Sequence, residues 1–127
     1  MQFDSVTPIY VQIADDLRRQ ILAGTLREGD QVMSTTAYAT TYRINPATAA
    51  KAFAQLIEEG LLEKRRGIGM FVAAGAPAQL REEGRNAYFT DVLAPALEQA
   101  RALGIGATEI QTFVATQFSG WATPGKE

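Results

Sequence analysis

The side chains available for chemistry in this sequence are carboxylates, lysines, arginines and hydroxyls, because it contains no histidine and no cysteine. Disulfide scaffolds, thiol nucleophiles, zinc fingers and every histidine-based triad or metal site are thereby excluded. Three adjacent acidic pairs, Asp15/Asp16, Glu58/Glu59 and Glu82/Glu83, invite an acid–base reading. Neighbours on a helix, however, point about 100° apart and do not converge on one substrate. The pairs read as solvated faces, and the chain as a protein that is not an enzyme and needs no cofactor or metal. The stretch built for contact lies elsewhere, in "YRINPATAAKAF", Tyr42 to Phe53. Asn45 caps a helix well, and Pro46 suits the position after it. Ala49, Ala52, Phe53, Leu56 and Ile57 recur at spacings of three and four and form an inner face, which leaves Ala47, Thr48, Lys51 and Gln55 together on the outside. That outer face is slim, hydroxylated once and positive at its centre. An α-helix just fits the major groove of DNA, and bulky side chains at its N-terminal end would hold it off. Asn45 and Thr48 can reach phosphates or base edges, Lys51 a phosphate or a guanine, and a helix N-terminus itself favours a phosphate.

The elements that must position this helix are also legible. Thr7 is a plausible cap and Pro8 a first helical residue, and Tyr10, Ile13, Leu17 and Ile21 then repeat with helical period, predicting a helix from Pro8 to Ala23 closed by Gly24. Gly29-Asp30 marks a turn. Ser34 can cap a short helix from Thr35 to Tyr42, with Ala37, Tyr38 and Tyr42 on one face. Only a tight turn fits between Tyr42 and Asn45, so this helix and the one from Pro46 to about Glu59, ended by Gly60, form a helix-turn-helix. Leu61, Leu62 and Met70, Phe71, Val72 then read as strands around "RRGIG", a hairpin loop. Lys64, Arg65 and Arg66 stand at its lip, and Gly67 lets backbone pass close to a groove or a phosphate. A helix-turn-helix followed by such a hairpin is a winged-helix arrangement.

Beyond it, "AAGAPAQ" reads as a small-residue linker. A helix is expected from about Ala78 to Leu103, bent by Pro95, and a last one from about Ala107 to Phe118, with "SGWATPGKE" as a loose end. Phe89, Val92, Leu93, Ala96, Leu97, Ala100, Ile110 and Phe113 are more apolar positions than so small a tail can bury alone, so they are expected to pair with a second copy of the chain. The formal net charge is −2. Residues 1–72 hold eight basic and eight acidic side chains, so the acidity comes from the tail, and the one dense basic cluster is Lys64 to Arg66. No apolar run approaches the roughly 20 residues of a membrane span, and the N-terminus has no secretory pattern, so a cytoplasmic protein is expected.

"PIYVQIADDLRRQILAGTLREGDQV" and "INPATAAKAFAQLIEEGLLEKRRGIGMFV", in that order and spacing, resemble the DNA-binding domain of GntR-family bacterial transcription regulators. The resemblance covers residues 8–72 and rests on the opening helix, an N-P-x-T recognition start, L-x-x-x-G-L and a closing R-G-x-G-x-F-V. It implies DNA contacts at Ser34, Asn45, Thr48, Lys51, Arg66 and Gly67. Two positions depart from the family pattern: Thr36 stands where an arginine usually reads DNA, and Ala47 where a polar residue is frequent. The 55 residues after Val72 are too few for the metabolite-binding domain of longer members. They resemble the short YtrA-like subgroup, whose two-helix tail mediates dimerisation.

The expected fold is therefore mostly α (α+β), with a winged helix-turn-helix over residues 1–75 and a helical dimerisation tail over residues 76–127. The expected function is that of a homodimeric repressor on a two-fold symmetric double-stranded DNA operator. Two alternatives stand beside it. One is a winged helix used for protein contacts; the other is a regulator whose effector binds among Tyr88, Phe89, Phe113 and Trp121.

Overall fold

A computed structural model of the chain describes residues 3–121. Helix α1, Ile9–Ala23, turns Ile13, Ala14, Leu17 and Ile21 inward. Its start differs from the expected Thr7 cap: Pro8 holds the cap position and makes no side-chain bond there. Instead the Asp4 carboxylate accepts the backbone N–H groups of Val6 and Thr7, both at 2.8 Å, and Gln12 donates back to the Thr7 carbonyl at 2.7 Å. A carboxylate is a stronger acceptor than a threonine hydroxyl. The Thr7 and then the Val6 N–H hold the Asp4 carboxyl below its ordinary range.

After the turn at Gly29 and Asp30 comes β1, Gln31–Val32, which the sequence pattern does not announce. Helix α2 follows at Thr35–Tyr42, and Ser34 caps it by accepting the Ala37 N–H at 3.1 Å. Its buried residues are Tyr38 and Ala39, whereas Ala37, expected on the inner face, is exposed. Tyr38 and Ala39, at i and i+1, are the narrow stripe this two-turn helix buries, and Tyr42, expected on the same face, stays exposed one turn beyond Tyr38. The Tyr38 ring meets Tyr42 at 4.6 Å and stands edge-on to Phe53 at 5.4 Å. Burial, with lesser contributions from Asp16 and Tyr42, pushes the Tyr38 hydroxyl far above its ordinary pKa.

The α2–α3 turn consists of Arg43 and Ile44. Arg43 is left-handed, with φ 55°, and the Ile44 N–H bonds the Ala39 carbonyl at 2.9 Å, closing the end of α2. Helix α3, Pro46–Glu58, opens with Asn45 accepting the Ala47 N–H at 2.8 Å. Ala49, Ala52, Phe53 and Leu56 are buried, as the spacing requires, and Ile57 packs partly against the same core. Gly60, at φ 81°, lets the Leu61 N–H reach back to Leu56 and turns the chain into β2, Leu62–Arg65. Strand β3, Gly69–Val72, returns antiparallel, with Leu62 opposite Val72 and Arg65 opposite Gly69; β1 pairs its other edge, giving the sheet order β1-β3-β2.

The second half of the expected linker, from Ala76, is the first turn of a helix. Helix α4 spans Ala76–Tyr88 and buries Ala76 and Leu80, at i and i+4, in the winged-helix core. Pro77 sits where a missing N–H costs nothing. Gln79 donates to the Glu59 carbonyl at 3.0 Å. The chain divides into two compact units, one ending at Gly84 and the other beginning at Arg85.

In the second unit the expected single helix is interrupted by a π-helical segment, Phe89–Leu93, followed by α5, Ala94–Ala102. Pro95 explains the interruption. It has no N–H for the Asp91 carbonyl, and its ring crowds that carbonyl, so the ladder slips and Ala94 bonds Phe89 instead. Helix α6 is Ala107–Gln117. Of the expected loose end, residues 122–127 lie outside the described residues.

Candidate nucleic-acid interface

Helix α3 packs against α1, α2 and β2, and its outer face is left open. Ala47, Ala50 and Lys51 are exposed and Thr48 is half-buried. Asn45 uses its carbonyl oxygen in the cap, which leaves its amide N–H groups to donate outward. Ser34 and Thr36 are exposed at the start of α2, where Ser34 likewise commits one lone pair to its cap. Gln55, expected beside Lys51 on the outer face, turns away and donates to Glu59 at 2.7 Å.

Glu59 belongs to the scaffold. Arg18 on α1 grips its carboxylate through contacts of 2.8 and 2.7 Å from one guanidinium nitrogen and 3.2 Å from Nε, and a third nitrogen of Arg18 reaches Asp15 at 2.6 Å. Burial alone would raise the Glu59 carboxyl. The hydrogen bonds from Arg18 and Gln55, with the charge of Arg18, outweigh it and bring the carboxyl below its usual range. For Arg18, burial is likewise the largest influence and lowers its pKa, but Glu59 and Asp15 together reverse the sign. The pair fixes α1 against the C-terminal end of α3 and so sets the angle at which the outer face is presented.

The basic triplet is split by the pleat. Lys64 shares a face with buried Leu62 and Met70, while Arg65 points the other way. There the guanidinium lies 4.2 Å over the Phe71 ring and 3.3 Å from Glu63, covering Phe71, which is buried outside the main core cluster. Lys64 and Arg66 are exposed and have no partner among the described residues. The wing turn runs through Arg66, Gly67 and Ile68. Gly67 takes φ 76°, and the Ile68 N–H bonds Arg65 at 2.9 Å. Gln31, from the unannounced β1, crosses Gly69 and donates to the Ile68 carbonyl at 3.2 Å, bracing the wing tip. No periodicity exists in a two-residue strand, so nothing in the sequence pattern signals this brace. Tyr10, whose spacing assigns it to the core alone, is the other contributor: Lys51 Nζ sits 4.2 Å over its ring.

In the second unit, Phe89, Val92, Ala96, Leu97 and Phe113 are exposed, Leu93 and Ile110 half-buried and Ala100 buried. A groove of about 390 Å³ runs along α5 and α6, lined by Leu97, Ala100, Ile105 and Ile110 with Arg101 and Gln111. Tyr88, Phe89, Phe113 and Trp121 are all exposed and lie outside that lining. Among the described residues no helix is long and apolar enough to cross a membrane.

A helix-turn-helix whose second helix has an open, slim, basic face, followed by a braced hairpin with free cations, defines a winged-helix DNA-binding protein. Residues 9–72 match the family model described as bacterial regulatory proteins, gntR family. The chain is 31% identical over 109 residues to the uncharacterized HTH-type transcriptional regulator YhcF of Bacillus subtilis, covering 86% of this chain and 88% of that one. It is 30% identical over 110 residues to the HTH-type transcriptional repressor YtrA of the same organism, with 87% and 84% covered. A GntR family transcriptional regulator from Listeria monocytogenes has the same fold, with a TM-score of 0.70 at 28% identity over 90% of this chain and 98% of that one. The chain belongs to the GntR family, in its short YtrA-like subgroup, and is a DNA-binding transcription regulator.

Proposed function

We propose that the protein is a cytoplasmic, homodimeric repressor that binds a two-fold symmetric DNA operator and performs no catalysis. The observation that carries this reading is the open outer face of α3, with Lys51 its only cation, alongside the unpartnered Lys64 and Arg66 of the wing. Residues 1–75 read the operator. Ala47 and Thr48 allow close approach, Asn45 and Lys51 donate to DNA, and Ser34 and Thr36 meet the backbone beside the groove. Lys64, Arg66 and Gly67 follow flanking phosphates, while Arg65 contributes mainly by holding β2 on β3. Residues 76–127 pair two copies through Phe89, Val92, Leu97 and Phe113, whose exposure in a single chain leaves apolar surface for a partner. Two recognition helices then meet successive major grooves about one helical turn apart. The repressor reading is supported by the likeness to a protein described as the repressor YtrA.

The test is a titration of the chain's own genomic fragments at two salt concentrations. Affinity is expected to fall steeply with salt, and Lys51→Ala with Arg66→Ala to flatten that dependence by about two in slope. Binding indifferent to salt and to both substitutions would remove the reading.

A further inference from the structure

We infer that Tyr10 is a positioning residue for Lys51 at the DNA interface, an inference that rests on the reading of α3 as the DNA helix. Lys51 is the only cation on α3, and its Nζ lies 4.2 Å from the Tyr10 ring centroid. Among the described residues no carboxylate pairs with it. The ring is the fixed member of the contact. Tyr10 is partly buried against the winged-helix core in the first turn of α1, whose start is held by the Asp4 and Gln12 hydrogen bonds.

A lysine on its four-carbon stem ordinarily loses rotamer freedom when it meets a phosphate. A carboxylate partner would order the side chain but would also neutralise it, and DNA would have to displace that partner. An aromatic face orders the ammonium by its quadrupole and leaves the charge uncompensated. Tyr10 thus prepares Lys51 before DNA arrives, and its contribution is preorganisation rather than charge. That distinction has a signature: losing the ring weakens binding without changing the number of counterions released.

The experiment measures affinity of the full chain for duplexes enriched from a random pool by the wild-type protein, over a range of salt. Lys51→Ala is expected to weaken binding about fivefold and lower the salt slope by about one. Tyr10→Phe, which keeps the ring, should bind within about twofold of wild type, and Tyr10→Leu should lose about threefold at unchanged slope. Adding Tyr10→Leu to Lys51→Ala should cost nothing more. The ring current should also shift the Lys51 ε-methylene protons upfield in the unbound wild-type and Tyr10→Phe proteins. Equal loss in Tyr10→Phe and Tyr10→Leu would assign the effect to the hydroxyl and overturn the inference, as would additivity with Lys51→Ala. Should Tyr10→Leu fail to fold, an unshifted Lys51 ε-methylene in the wild type would overturn it alone. Lys51→Ala without effect would instead count against the DNA-helix reading.

Discussion

Phe53 and Phe113 are both helical phenylalanines, yet the first is 1% exposed and the second 65%. Phe53 is enclosed by residues from three other elements of its own unit, with Tyr38 edge-on to it and Leu56 one turn further along. Phe113 stands on α6 in a unit where, of the large apolar side chains from Tyr88 onward, most remain in solvent. The winged helix therefore completes its core within one chain, whereas the tail has the composition of a core without the enclosure. An element built this way is stable in proportion to what covers it, and the covering surface proposed here is the same tail of a second copy.

The comparison can be broken most forcefully at these two residues. Phe53→Ala is expected to cost about 3–5 kcal/mol in chemical denaturation, since it empties an enclosed site. Phe113→Ala should cost under about 1 kcal/mol at high dilution but abolish the rise of Tm with protein concentration that a dimer requires. Equal effects at all concentrations would erase the distinction between the units.

A smaller effect sharpens what holds the first unit together. Glu59→Gln is expected to cost about 1 kcal/mol at neutral pH, because Arg18 keeps its half-buried charge and loses one of its two carboxylate partners, Asp15 remaining. The folded-state pKa of Glu59 is depressed, so the stability it contributes is present above its unfolded value and is lost as pH falls through the folded one. The difference between wild type and Glu59→Gln should therefore shrink in acid, as read from denaturation midpoints at stepped pH. Smallest of all, Arg43→Gly should raise stability by about 0.5–1 kcal/mol, since Arg43 is the one non-glycine residue with positive φ among those described.

Much of the first unit is legible without its structure. Asn45, Pro46 and Gly60 bound α3 because caps act locally, and the inner stripe from Ala49 to Leu56 follows from helical period. What stays hidden in the sequence depends on partners far along the chain. Val32 and Gln31 form a strand only because β3 is there to pair with them. The segment from Ala76 becomes helical because Leu80 finds the winged-helix core. Arg65, a candidate DNA contact, also covers Phe71, a placement set by the pleat that reverses its direction relative to Lys64. Pro95 predicts a disturbed helix, but the form of the disturbance, a π-helical segment, depends on which carbonyl the slipped ladder can reach. The supports around the proposed site are the part the sequence does not signal: Tyr10 beneath Lys51 and Gln31 behind the wing tip are tertiary facts.

The most direct test of the central claim is to select duplexes from a random pool with the full-length chain and sequence those retained. A reader made of two winged helices paired by their tails predicts an enriched motif with two-fold symmetry, its half-sites centred about one helical turn apart. Enrichment of a single unrepeated half-site, or of no motif at all, would contradict it.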